Sequence, residues 1–417
     1  MNDLTARLLN LAIAIQQIPA PTFHEAVRAE FVRARFVDEG LAPAGVKMDE
    51  VGNVYARLAG KGSEKVLVVS AHLDTVFSSS VDLHFERQQE PRAPSPVSRP
   101  ETGTTTPRAG SGTTTPRAGS GTTTRILAPG IGDNSLGVAG LFGLVWALRE
   151  RNLTLPGDVW LVANVCEEGL GDLRGMRAVV DNFGSGPIAY IVLEGMALGQ
   201  ITHRGLGVRR TRITIRTSGG HSWIDYGQPS AIHELTALAT RITALPRPGT
   251  GTTSSRAGTG TTSKPPRTTL NIGIISGGSS VNTIAAEAML ELDLRSESDE
   301  TLEALTQQVE QIVHAAKKPG VTVETEMIGQ RPSGELPAEH PLVRLAQDCL
   351  RAAGVEPHLN TGSTDANLPL SRGLPAITIG LTTGGRAHSV DEFINLEPLE
   401  KGMEQVTRLV SKVWEVM

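Results

Sequence analysis

Only two cysteines, Cys166 and Cys349, occur in the chain. They allow one bridge at most, so a disulfide framework is excluded and a cytoplasmic home is the default expectation. Cys166 reads as a small buried core thiol. Basic charge is also short. The 39 Lys and Arg residues stand against 44 Asp and Glu, and the net charge of −5 argues against a general nucleic-acid binder. No apolar run reaches membrane-spanning length, so no membrane partner is expected. The opening stretch, "MNDLTARLLNLAIAIQQIPAPT", lacks a basic leader before its apolar part. It reads as an amphipathic helix, not a signal peptide.

What remains is an ordinary globular composition, 39% hydrophobic and 20% charged. At 417 residues the chain is too long for one ordinary core, which predicts two domains. Two segments carry too few apolar residues to repay the entropy of ordering. One repeats the nine-residue unit GTTTPRAGS from Gly103 to Thr124, with a lead-in near Gln88, and a looser copy covers residues 249–267. Both read as flexible surface insertions with no catalytic role.

Outside them, strands and helices alternate. "KVLVVSAHLD", "DVWLVANV" and "IAYIVLEG" read as buried strands, with the helices "SLGVAGLFGLVWALRERN" and "GDLRGMRAVVDNF" between them. That order predicts an α/β fold, a mostly parallel sheet with helices on both faces. From residue 206 to 330 the pattern becomes β-α-β-β-α-β, a smaller unit inserted in the first. The division predicted is therefore 1–205, 206–330 and 331–417, with the outer pieces forming one domain.

Metal-ligating side chains fall where these strands end, the edge at which open α/β sheets build their sites. His72 and Asp74 close one strand, two residues apart, so that His72 can ligate a metal while Asp74 holds the imidazole. Asp133 lies in a glycine-rich turn opening a helix, where capping is the plainer role. Glu167 and Glu168 stand side by side after another strand, Glu194 ends a third, and His388 follows a fourth. Each feature alone is modest, whereas five such strand ends in one chain are not expected by chance.

Together, "SAHLDTV", "GIGDNSLGVAG", "CEEGLGDLRG", "GGHSW" and "GSTDAN…RAHSVDEFI" resemble the co-catalytic zinc exopeptidase family of glutamate carboxypeptidase, peptidase T, acetylornithine deacetylase, succinyl-diaminopimelate desuccinylase and aminoacylase. The resemblance implies a zinc-peptidase-like fold with the inserted unit as a lid and dimerisation domain. It implies two Zn2+ per subunit, with Co2+ or Mn2+ as substitutes. Asp133 would bridge the metals, His72 and Glu194 would complete one, and Glu168 and His388 the other. The Asp133–Asn134 peptide would be cis. Glu167 would be the general base for a water between the metals. His221 would stabilise the oxyanion, often across a dimer, and Asn282 and Arg295 would hold the substrate's carboxylate.

The expected activity is an exopeptidase acting on small peptides with a free carboxylate, in a homodimer formed through the lid. A deacylase of N-acyl amino acids is the near alternative. An aminopeptidase without the lid is opposed by the β-α-β-β-α-β insertion with His221 and Arg295. A non-catalytic binding protein on the same fold is opposed by the filled ligand and base positions.

Overall fold

The computed structural model describes residues 3–91, 122–246 and 266–417. The chain opens with helices α1 (Asp3–Gln16) and α2 (Ala26–Asp38), followed by strands β1 (Val46–Met48), β2 (Val54–Leu58) and β3 (Ser63–His72). Strands β4 (Glu86–Pro91) and β5 (Thr122–Leu127) precede helix α3 (Leu136–Glu150). Then come β6 (Gly157–Asn164), α4 (Arg174–Phe183), β7 (Pro187–Glu194) and β8 (Gln200–Gly205).

The inserted unit runs through β9 (Gly207–Arg216), β10 (Gly220–His221), α5 (Ala231–Thr243), β11 (Thr268–Gly277), β12 (Thr283–Ile284), β13 (Glu287–Ser296), α6 (Asp299–His314) and β14 (Thr322–Arg331). The chain returns through β15 (Gly334–Glu335), α7 (Pro341–Ala352), β16 (His358–Gly362), α8 (Asn367–Ser371) and β17 (Ala376–Gly380). It closes with β18 (Gly384–Gly385), β19 (Phe393–Asn395) and α9 (Leu399–Val416).

The main sheet has the order β1-β2-β6-β3-β7-β17-β8-β15, with β16 also beside β8. Its centre, β6, β3, β7 and β17, is parallel, and β2 and β8 flank it antiparallel. The central strands are nearly continuous aliphatic runs because both faces are covered. Helix α3 is buried from Leu136 to Leu148 and packs against α1, α9 and the sheet. This revises one expectation. Ile131–Glu150 is long and apolar enough to pass for a membrane span, but 94% of that window is buried inside the protein. Its apolar perimeter is that of a core helix with neighbours on every side.

The inserted unit has its own core, built on an antiparallel sheet of order β11-β13-β9-β14 with α5 and α6 against it. Along β13 burial alternates residue by residue, as a sheet with one covered face requires.

The low-complexity segments lie mostly outside the described residues. At the ends of the first, the expectation of a loop is corrected. Gln88–Pro91 and Thr122–Thr124 belong to the paired strands β4 and β5, and β5 also pairs with β19. Non-local ladder bonds order these polar strands where local apolar patterning does not.

Candidate metal and active centre

Parallel neighbours put their carboxyl ends on one edge of the sheet, and that edge holds the predicted residues. His72 ends β3, Glu167 and Glu168 follow β6, Glu194 ends β7, and His388 lies in the loop between β18 and β19. That loop turns through left-handed backbone at Arg386 and at His388 itself, φ 58° and 64°.

Asp133 sits at the middle of the group. Its Oδ1 lies 3.1 Å from His72 Nε2, and its Oδ2 lies 3.1 Å from His388 Nε2. It does not cap helix α3. The N-cap position is Ser135, and Asp133 has extended backbone angles, φ −121° and ψ 85°. Its peptide to Asn134 is cis. Glu392 holds this turn from behind by accepting from the amides of Gly132 (2.7 Å) and Asp133 (2.9 Å). Glu194 approaches His72 Nε2 at 3.7 Å, and Glu168 approaches His388 Nε2 at 3.0 Å. Three groups result among the described residues, His72 with Glu167 and Glu168, and two that share Asp133. His72, Asp133 and Glu194 form one and Asp133, Glu168 and His388 the other, each with ligand atoms within 4.8 Å.

The Asp74 side chain does more than expected. His72 Nδ1 meets the main-chain oxygen of Asp74 at 3.0 Å, while the carboxylate stands 3.6 Å away. The imidazole is oriented by a carbonyl, which leaves Nε2 facing the cluster. The carboxylate also accepts from the amides of Glu167 and Glu168 and from the Thr22 hydroxyl, each at 2.9 Å. Glu25 accepts from the amide of Cys166 at 3.1 Å. Three consecutive amides of the "CEE" turn therefore end on two buried carboxylates. Beneath them Arg28 is fully buried and donates to the carbonyls of Ile18 and Leu73. Burial brings its pKa down to about 10, while Asp74 and Glu25 hold it up.

Charge is crowded here. Burial pushes Glu194 up to about 7, with Asp133 adding to the rise and His72 opposing it. Hydrogen bonds to Asp133 and Glu168 raise His388 to about 10. Burial disfavours the charged form of His72, but Asp133, Asp74 and Glu194 overcome it and raise the pKa well above the ordinary value. Against the upward push of burial, the two histidines hold Asp133 below the ordinary carboxylate range.

Two imidazoles and three carboxylates arranged in this way suit two divalent ions. The donors are nitrogen and oxygen, each group supplies three side chains, and the central carboxylate has one oxygen for each group.

The glutamate pair diverges as the chemistry needs. Glu168 points to His388, while Glu167 Oε1 receives Arg331 Nη1 at 2.9 Å. Both residues line a cavity of about 350 Å³ together with His72, Asp133, Glu194 and His388. Arg295 reaches this cavity from β13. Its Nε donates to Asp293 at 2.7 Å, and its Nη groups make no bond among the described residues. His221 and Asn282 do not line the cavity. They sit together where β10 pairs with β12, and Ser222 N donates to Asn282 O at 3.0 Å. Both residues lie exposed on the turns of the inserted unit, away from the cavity of their own chain.

Sequence reasoning missed Arg331, Glu392 and Asp365. Asp365 lies in the motif "GSTDAN" but had no assigned role. It is fully buried, its Oδ2 accepts from Asn164 Nδ2 at 2.8 Å, and burial raises its pKa to about 6. Glu392 was inside the quoted motif "RAHSVDEFI", and Arg331 stands at the predicted exit from the inserted unit.

The family described as Peptidase family M20/M25/M40 matches residues 107–412. The chain belongs to this family. It is accordingly an M20-type peptidase or amidohydrolase. Among curated relatives, Bacillus subtilis YqjE is 23% identical, over 97% of this chain and 98% of its own length. The acetylornithine deacetylase of Yersinia pseudotuberculosis is 25% identical, over 65% of this chain and 68% of its own.

The fold is also that of solved M20-type structures. The aminopeptidase PepT of Bacillus cereus superposes with a TM-score of 0.68 at 20% identity, covering 98% of this chain and 99% of its own. The M20 dinuclear metal-binding peptidase YXEP of Bacillus subtilis gives 0.61 at 17%, covering 99% of each.

Proposed function

We propose that this M20-type hydrolase is a two-zinc exopeptidase that cleaves an amide bond in small peptides bearing a free carboxylate. The observation that carries the reading is Asp133, which presents one oxygen to each of two histidines. His72, Asp133 and Glu194 would hold one ion, and Asp133, Glu168 and His388 the other. When bound, the two cations supply the charge that acidifies a water and polarises the scissile carbonyl.

Glu167 then takes the proton of the attacking water and delivers it to the departing amine as the C–N bond breaks. Asp74 keeps Glu167 and Glu168 apart and in register through their amides. The free Nη groups of Arg295 suit the substrate's carboxylate as a bidentate fork. A cavity of about 350 Å³ suits a substrate of a few residues.

His221 completes the centre of a second copy by donating to the oxyanion, and Asn282 joins the same carboxylate grip. Trp223 and Tyr226, 85% and 89% exposed beside His221, support a homodimer through the inserted unit. The site we assign is cytoplasmic.

The test is a screen of zinc-, cobalt- and manganese-reconstituted protein against dipeptides, tripeptides and N-acetyl amino acids. Turnover that needs the free carboxylate supports the reading, and no turnover of any member overturns it. The deacylase reading is favoured by the match to acetylornithine deacetylase. It is selected if only the acyl amino acids are cleaved.

A further inference from the structure

The general base is held from the inserted unit. Arg331 is the last residue of β14, where the smaller sheet hands the chain back to the main domain. Its guanidinium is bound to one residue twice. Nη1 donates to Glu167 Oε1 at 2.9 Å, and Nη2 donates to the main-chain oxygen of Glu167. Nη1 also reaches Ser363 Oγ at 3.1 Å. The two side chains are 5% and 7% exposed, so this is a buried ion pair.

Two further contacts join the same turn to the same unit. Arg210 of β9 donates to the Gly169 carbonyl, and Gln330 N of β14 donates to Asp172 Oδ1 at 2.7 Å.

A buried carboxylate left alone is driven toward its neutral form or another rotamer, and breaking a buried pair leaves an uncompensated charge. A base also works only when its free oxygen stands at the reacting proton, and small displacements are costly. Arg331 meets both needs by occupying Oε1 and anchoring the backbone, which leaves Oε2 for the proton. Arg331 lines the cavity too, which raises the alternative that it grips substrate. Its Nη groups are committed to Glu167 and Ser363, however, whereas those of Arg295 have no bond among the described residues.

We propose that Arg331 is a positioning residue for Glu167, through which the inserted sheet sets the general base. The inference rests on the reading of Glu167 as base given above.

The test is a double-variant cycle of Arg331→Met and Glu167→Gln, with Arg331→Lys as the conservative control. Wild-type turnover is established first, so its absence counts against the proposed function and leaves the cycle to be read from unfolding. With turnover present, Arg331→Met should lower kcat on the order of 10- to 100-fold with KM within about 3-fold and both metals retained. Arg331→Lys should recover part of the loss, because an ammonium keeps the charge but not the fork.

In the Glu167→Gln background, Arg331→Met should cost less than about 2-fold more, the mark of residues acting as a unit. The unfolding midpoint of the metal-free protein should show the same non-additivity. A raised KM with kcat kept would overturn the inference and make Arg331 a substrate ligand. Additive losses in the cycle, by kinetics or by unfolding, would equally overturn it. Should the methionine variant fail to fold, the lysine variant carries the same cycle.

Discussion

Asp74→Asn separates two accounts of the same residue. As the orienter of His72, Asp74 would act on the metal site alone. As the structure has it, the carboxylate holds the Glu167 amide on Oδ1 and the Glu168 amide and Thr22 hydroxyl on Oδ2. Asparagine has one acceptor oxygen and one donor nitrogen, so in either orientation one buried amide faces another donor. Losing a hydrogen bond to a charged acceptor costs about 1.5–3 kcal/mol. The surviving bonds drop from charge-assisted to neutral strength, roughly another 1 kcal/mol in all. The expected loss is about 2.5–4 kcal/mol in denaturant unfolding of the metal-free protein.

Amide hydrogen exchange reads the local event, and protection at Glu167 and Glu168 should fall while the β3 amides are unchanged. The pH dependence has a definite sign. Burial opposes the charge on Asp74, but His72 and the two amides hold its pKa below the ordinary aspartate value. Its contribution is therefore present above the unfolded pKa and is lost as pH falls through the folded one, and that acid limb should be missing in the variant. A loss under about 1 kcal/mol with both amides still protected would refute this account of Asp74.

Two further outcomes follow from the cluster. Glu168→Gln should leave one metal tightly bound and weaken the other by more than the roughly 10- to 100-fold that loss of a residue behind a ligand costs, in a chelator competition, and equal retention of both would remove Glu168 from the ligand set. Metal binding at pH 7 should release between about two and three protons, because His388 at about 10 and the raised His72 are charged without metal, Glu194 at about 7 is partly protonated, and all three must lose those protons to ligate. Stability contributed by those histidines without metal is fully present below the ordinary histidine range and is lost as pH rises through their raised values. Calorimetry in buffers of different ionisation enthalpy measures the release, and none at pH 7 would contradict the ligand assignment.

That the strand-end residues share one edge was legible because a parallel sheet puts every carboxyl end there, whereas the ligand roles of His72, Glu168 and Glu194 came from the family resemblance. The inserted unit was legible for a similar reason, since its β-α-β-β-α-β order is local. Arg331 was not, because its partner Glu167 lies 164 residues away in sequence. The Asp74 carboxylate was read only in part, because a spacing of two suggests the neighbouring imidazole but not the amides it also holds, 93 and 94 residues off. Strands β4 and β5 were hidden because nothing in a Thr- and Gln-rich stretch announces a ladder that only pairing with β19 completes. His221 and Asn282 do not line the cavity of one chain, and the roles given to them rest on the family resemblance.

The most direct measurement is turnover and metal content of Glu167→Gln on a substrate the wild type cleaves. The account predicts two metals per chain, unchanged, and a fall in kcat of about 1000-fold or more, since the amide keeps the shape of the base but cannot take the proton. Near-normal turnover, or loss of a metal with the activity, would contradict it.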